Sequence, residues 1–180
     1  MKKIALVGVA LALVAGSASA ANSLVAGQLS LGVEVGAATT PLISGRYFIA
    51  KDLAIVGGLG FERKNTSDTR PNPNPTETET ATTTAMLIGI RKYLKTDDFA
   101  PFVGGVFTYS STGTSRSPGR SSSESELGLA AEAGAEYFLG KQFSVEGKVR
   151  FAYGSTDDGA GVTTSTFGTA TAGLGANFYF

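Results

Sequence analysis

The chain has 180 residues, enough for a single domain, with 15 basic and 15 acidic side chains, 24 glycines, and neither cysteine nor histidine. The lack of cysteine excludes a disulfide-stapled secreted fold, and the balanced charge argues against a nucleic-acid partner, which needs a basic face. Without histidine the usual acid–base group near neutral pH and the His–Cys zinc constellations are missing, so neither metal nor other cofactor is expected.

The first segment has the marks of an export signal. Lys2 and Lys3 precede an apolar run from Ile4 to Ala15, and Ala18-Ser19-Ala20 supplies the small-residue cleavage pattern. The run is short for a spanning helix, which needs ~20 apolar residues. Residues 1–20 are therefore expected to be cleaved, leaving 21–180 as one domain. Without Lys2 and Lys3 its net charge is 13 − 15 = −2. The glycines, with abundant Thr, Ser and Ala, disfavour long helices.

The mature part alternates with a period of two, and strand side chains alternate between faces. Taken in order, Leu29, Leu31, Val33 and Val35 oppose Gln28, Ser30, Gly32 and Glu34. Ile43, Gly45 and Tyr47 oppose Ser44 and Arg46. Ile55, Gly57, Leu59 and Phe61 oppose Gly58, Gly60 and Glu62. Met86, Ile88 and Ile90 oppose Gly89 and Arg91. Val103, Gly105, Phe107 and Tyr109 oppose Phe102, Gly104 and Thr108. Leu127, Leu129, Ala131 and Ala133 oppose Gly128, Ala130, Glu132 and Gly134. Val145, Gly147, Val149, Phe151 and Tyr153 oppose Glu146, Lys148 and Arg150. The last segment sets Ala170, Ala172, Leu174, Ala176, Phe178 and Phe180 against Thr171, Gly173, Gly175, Asn177 and Tyr179. That makes eight strands.

A soluble sandwich also alternates, but two features favour an eight-stranded antiparallel up-and-down transmembrane barrel. The connections alternate short and long. Aromatics gather at strand ends: Tyr47, Phe48, Tyr93, Tyr137, Phe138, Phe178 and Phe180 near the short turns, and Phe61, Phe107, Tyr109, Phe151 and Tyr153 near the long loops. Two such girdles match two membrane interfaces. The long connections, Lys64 to about Thr82, Ser110 to Ser125 and Gly154 to about Thr166, are rich in Pro, Asn, Thr, Ser and Gly and are expected to be poorly ordered outer loops. A fourth connection, Ala37 to Pro41, is short.

Three short-turn units repeat at a spacing of 45 residues, starting at Arg46, Arg91 and Glu136. The middle unit is one residue longer. A basic residue at mid-bilayer costs ~2–4 kcal/mol, so Arg91 is expected inward, with the extra residue in the turn.

The segments "RYFIAKDLAIVGGLGF" and "PFVGGVFTY" and the terminal "ANFYF" resemble the small outer-membrane β-barrels of the OmpA/OmpX and opacity-protein type, over essentially the whole mature chain. The resemblance implies the bacterial outer membrane, lipid and lipopolysaccharide around the barrel, and usually no enzymatic activity. It also implies that the terminal aromatics Phe178 and Phe180 act as the recognition signal for the barrel-insertion machinery. The peptidoglycan-binding domain of larger relatives is not expected.

The inward charges form the candidate site: Glu34, Arg46, Glu62, Arg91, Glu132, Glu136, Glu146, Lys148 and Arg150, five acids against four bases. Eight strands leave an interior just wide enough for side chains to fill, and buried charges must pair. A network of ion pairs closing the lumen is expected, and with it a structural or cell-surface role. A narrow porin-like pore through the same charges, and an adhesin acting through the outer loops, remain alternatives. No catalytic residues are expected; Glu132 and Glu136, the one carboxylate pair considered, read better as partners of arginines. The expected partners are lipid, lipopolysaccharide and the insertion machinery, with the barrel a monomer.

Overall fold

A computed structural model describes residues 24–36, 40–68, 77–117, 120–159 and 161–180. The expected signal segment, residues 1–20, lies outside them. The described residues form eight strands: β1 Leu29–Val35, β2 Leu42–Ala50, β3 Leu53–Asp68, β4 Glu77–Tyr93, β5 Phe99–Ser117, β6 Arg120–Phe138, β7 Phe143–Asp157 and β8 Thr163–Tyr179. Each is antiparallel to the next, and β1 pairs with β8 to close the barrel.

The alternation sorts the side chains as the sequence predicts. Leu31, Ile88, Val149 and Leu174 are 50%, 55%, 43% and 66% exposed on the outer face, whereas Glu146 and Arg150 are buried inside. An outer face this apolar is untenable in water but natural in hydrocarbon. The expected placement of Arg91 is also met: it points inward, and the longer middle unit is absorbed between Tyr93 and Phe99.

The aromatic assignment needs correction. Tyr47, Tyr137, Phe178 and Phe180 face outward at the short-turn end, but Phe48, Tyr93 and Phe138 are buried inside the barrel. Their strand parity explains it: Phe48 is two residues from Arg46, Tyr93 two from Arg91 and Phe138 two from Glu136, so each shares the inward face. They join Phe102, Tyr179 and Leu24 in an apolar base. The chain before β1 seals this end. Gly27 N–H donates to the Phe48 carbonyl and Phe48 N–H to that of Gln28, at 2.7 and 2.9 Å.

The polar connections are also shorter than expected. β3 and β4 remain paired from Phe61↔Thr84 out to Asp68↔Glu77, and β5 and β6 from Ser110↔Glu126 out to Arg116↔Arg120. Threonine fits a pleated ladder, and cross-strand pairs add to it. Here Thr83 and Thr112 share a hydroxyl hydrogen bond of 2.9 Å, and Arg116 meets Glu79 at 2.7 Å. β2 pairs with β3 only as far as Leu42↔Gly60. β3 to β6 therefore continue above the closed barrel as an open four-stranded sheet.

β8 carries one irregularity. The register with β7 shifts between Ala152 and Tyr153, and Gly168 takes a φ of 90°. Glycine accepts that conformation without strain. The bulge turns Phe167 outward, although its parity differs from that of Leu174.

Candidate functional site: the charged lumen

Among the described residues five of the eight strands contribute buried charges, each from its inward parity. β1 supplies Glu34, β2 Arg46, β4 Arg91, β6 Glu132 and Glu136, and β7 Glu146, Lys148 and Arg150; all eight are buried. That is four acids and four bases, so the enclosed set is electrically neutral.

Six of the eight form a closed circuit of alternating sign. Glu146 Oε1 lies 2.8 Å from Lys148 Nζ, which reaches Glu34 Oε2 at 2.5 Å. Glu34 Oε1 meets Arg150 Nη1 at 2.7 Å, and Arg150 Nε meets Glu132 Oε2 at 3.1 Å. Arg91 Nη2 meets Glu132 Oε1 at 2.8 Å, and Arg91 Nη1 closes the ring on Glu146 Oε2 at 2.7 Å. Arg46 joins this ring to Glu136. It donates through Nη2 to Glu146 at 2.6 Å, and through Nη1 to both Glu136 oxygens at 3.0 and 2.9 Å.

Glu136 has the densest set of donors. Besides Arg46 it accepts from Tyr93 at 2.7 Å, Tyr179 at 2.6 Å, Asn177 at 3.2 Å and the Ser144 hydroxyl. Removing two charges from water is costly unless the remaining lone pairs are also satisfied. Here the two phenols link the ion pairs to the aromatic base. Phe48 and Tyr93 ring centroids are 5.5 Å apart, and those of Phe138 and Tyr179 are 5.3 Å apart. Arg91 also stacks on Phe102, with its guanidinium carbon 3.8 Å from the ring centre.

Small residues make the room. A Cβ added to Gly104 would lie 3.2 Å from Glu132 Oε1 and 2.6 Å from the Ile90 carbonyl. One added to Gly175 would lie 2.9 Å from Glu146 Cγ. The opposite wall of the lumen is apolar, formed by Leu42, Val56, Leu87 and Val106.

Glu62 is a correction to the expected charge set. It shares the inward parity, but it is exposed and lies at the outer mouth, beside Glu124 and Glu126. β3 outlasts its neighbour β2 at this height, so the wall is open there. Leaving Glu62 out turns five acids against four bases into an equal count. Sequence reasoning did not pick out Ser144, Asn177 or Tyr179 as network members, although Asn177 and Tyr179 were read as inward and Ser144 has the parity of Glu146. Phe178 and Phe180 face outward at the foot of β8, with ring centroids 5.2 Å apart. Outside the barrel wall, Lys92 Nζ lies 2.6 Å from Asp52, which sits in the turn between β2 and β3. That hydrogen bond holds the Asp52 carboxyl below its usual range.

Among the described residues no group of three or more Asp, Glu, His or Cys is placed to hold a metal ion. Each of the eight buried charges meets at least one partner of opposite sign.

Comparison with known proteins agrees with this architecture. No curated protein matches the chain in sequence. The N-terminal β-barrel domain of Pseudomonas aeruginosa OprF is similar at a TM-score of 0.50 and 13% identity, covering 85% of this chain and 96% of that one. A major outer membrane protein from Thermus thermophilus is similar at a TM-score of 0.50 and 15% identity, covering 85% of this chain and 99% of that one. Ail, the attachment invasion locus protein of Yersinia pestis, matches at a TM-score of 0.49 and 15% identity, covering 86% and 99%. The two likenesses at a TM-score of 0.50 concern the fold alone. The model of the outer membrane protein β-barrel domain matches residues 8–180, and the chain therefore belongs to that family of the bacterial outer membrane.

Proposed function

We propose that the protein is a closed barrel with a structural or cell-surface role in the outer membrane, one that neither conducts freely nor catalyses a reaction. The observation that carries this is the six-member ring of alternating charges across the lumen, with an apolar base beneath it. An ion crossing would have to part pairs in a low-dielectric interior, where an unpaired charge is costly. Glu132 and Glu136, the carboxylate pair that the sequence offers for acid–base work, are each held by cationic partners. A surface role is favoured over a purely mechanical one by the four strands that continue above the aromatic girdle.

The signal segment 1–20 is removed on export in this reading, Phe178 and Phe180 are read by the insertion machinery, and the barrel sits as a monomer in lipid and lipopolysaccharide. Planar-bilayer recording of the refolded protein is the test. Quiet membranes are expected, and frequent stable openings would establish the narrow-pore reading instead. Adding an Arg46→Ala, Arg91→Ala double variant calibrates the assay, because opening the ring is expected to raise the frequency of current steps.

A further inference from the structure

The four-stranded extension above the barrel sorts its charges by face. Directly opposed residues share a face. The row Glu62, Thr83, Thr112 and Glu124 belongs to the face that continues the lumen. The row Arg63, Thr82, Gly113 and Ser123 belongs to the face that continues the lipid-facing wall. By this parity Glu62, Lys64, Glu79, Arg116, Glu124 and Glu126 all stand on the lumen side. From Arg63 outward, the opposite face of β3 to β6 carries serine, threonine, asparagine and one glycine. Its one charge among the described residues is Arg63, which is exposed. Asp157, of the same parity on β7, stands four strands away from Arg63 and accepts from the Gly159 N–H. Bulk water tolerates charge on either face, so solvation alone does not sort it.

The height of Arg63 says what does. It lies two residues beyond Phe61 on the same face, about 7 Å along the strand. Phe61 belongs to the outer aromatic girdle, and such girdles mark the membrane interface. The uncharged face therefore begins where the hydrocarbon ends and is continuous with the lipid-facing wall. An anionic leaflet favours a base at that level and disfavours acids. Hydroxyls both donate and accept, as sugar hydroxyls do.

Gly113 is an independent observation. The register of β5 with β4 and with β6 runs unbroken across it, and its φ is not positive. A Cβ added there would meet nothing within 4 Å. Neither backbone nor neighbour calls for glycine, which weakens a strand interior, and the remaining use of a strand glycine is close approach by a ligand. Its recess lies between Thr82 and Ser123, two strand steps or about 10 Å from Arg63.

We propose, resting on the outer-membrane placement above, that this face packs against the phosphorylated saccharide of a lipopolysaccharide. Arg63 pairs with a phosphate at the interface, and a sugar ring enters the recess over Gly113.

The test uses the refolded barrel in nonionic detergent with an environment-sensitive fluorophore on Ser115→Cys, and on Thr114→Cys as the control for the other face. Each is titrated with lipopolysaccharide, the same material dephosphorylated, and phosphatidylglycerol. A saturable response to intact lipopolysaccharide is expected at Ser115 and not at Thr114. Dephosphorylation and Arg63→Gln are each expected to weaken it about tenfold, and Gly113→Val and Thr82→Glu several-fold. Lys64→Gln, of the lumen parity, is expected to leave it unchanged. A gel-mobility check of folding accompanies each variant, and Arg63→Gln alone serves if Gly113→Val does not fold. Equal responses on the two faces, equal binding of phosphatidylglycerol, or indifference to Arg63→Gln and Gly113→Val would each overturn the proposal. A fluorophore on Ile88→Cys separates the two failures. If it reports an apolar surrounding while Ser115 ignores lipopolysaccharide, the saccharide face alone falls, and if it reports water, the membrane placement falls with it.

Discussion

Glu136 shows how a single side chain in this lumen is held. It accepts from an arginine, two phenols, an amide and a hydroxyl, so it joins the ion-pair layer to the aromatic base. Glu136→Ala would leave those donors facing one another and cost ~3–5 kcal/mol. A lowered urea midpoint, followed by the mobility difference between folded and unfolded forms, reads that loss. Glu136→Gln keeps an acceptor and is expected to lose less. The exposed Lys92–Asp52 pair behaves differently. Asp52 titrates below its ordinary range when folded, so its contribution is present above that range and is lost as the pH falls through the lowered value. Solvent screens it, so Lys92→Ala should leave the midpoint at neutral pH unchanged within error. Parity alone was enough to place Arg46, Arg91 and Glu146 inside. It was not enough for Glu62, because parity assigns a face and not a height along the barrel.

At the scale of elements, the eight strands and their facing were legible because one residue in two had to be apolar. Their outer ends were not. Thr78 to Thr84 and Ser110 to Ser115 carry no apolar alternation, and what extends them is backbone pairing with a neighbouring strand. A polar tract rich in Ser and Thr reads the same whether it is a loop or a solvated ribbon wet on both faces. The buried positions of Phe48, Tyr93 and Phe138 are hidden for a different reason: a place at the strand end is shared by girdle and lumen aromatics, and only strand parity separates the two. The ribbon is expected to be dispensable for folding. Replacing residues 65–80 by Asn-Gly joins Lys64 to Ala81, which already pair, through a favoured two-residue hairpin turn. Far-UV circular dichroism and gel mobility should keep their barrel signatures. Loss of both would show that the outer sheet nucleates or supports the barrel.

For the whole molecule, the decisive feature is the inversion of a soluble protein: apolar side chains outside, a balanced set of charges within. A charge placed on the outer face should therefore be penalised by depth. Ile88→Arg, near mid-height on β4, is expected to cost ~2–4 kcal/mol, read from the urea midpoint in lipid. Ser115→Arg, on the outward parity of β5 above the girdle, is expected to change it little. The chain has no cysteine, so single cysteines can be introduced and spin-labelled without interference. Labels at Leu31, Ile88, Val149 and Leu174 in reconstituted bilayers should be relaxed by dissolved oxygen far more than by a water-soluble nickel chelate. The reverse preference at these four positions would mean that water, and not hydrocarbon, touches the apolar face, and would contradict the account.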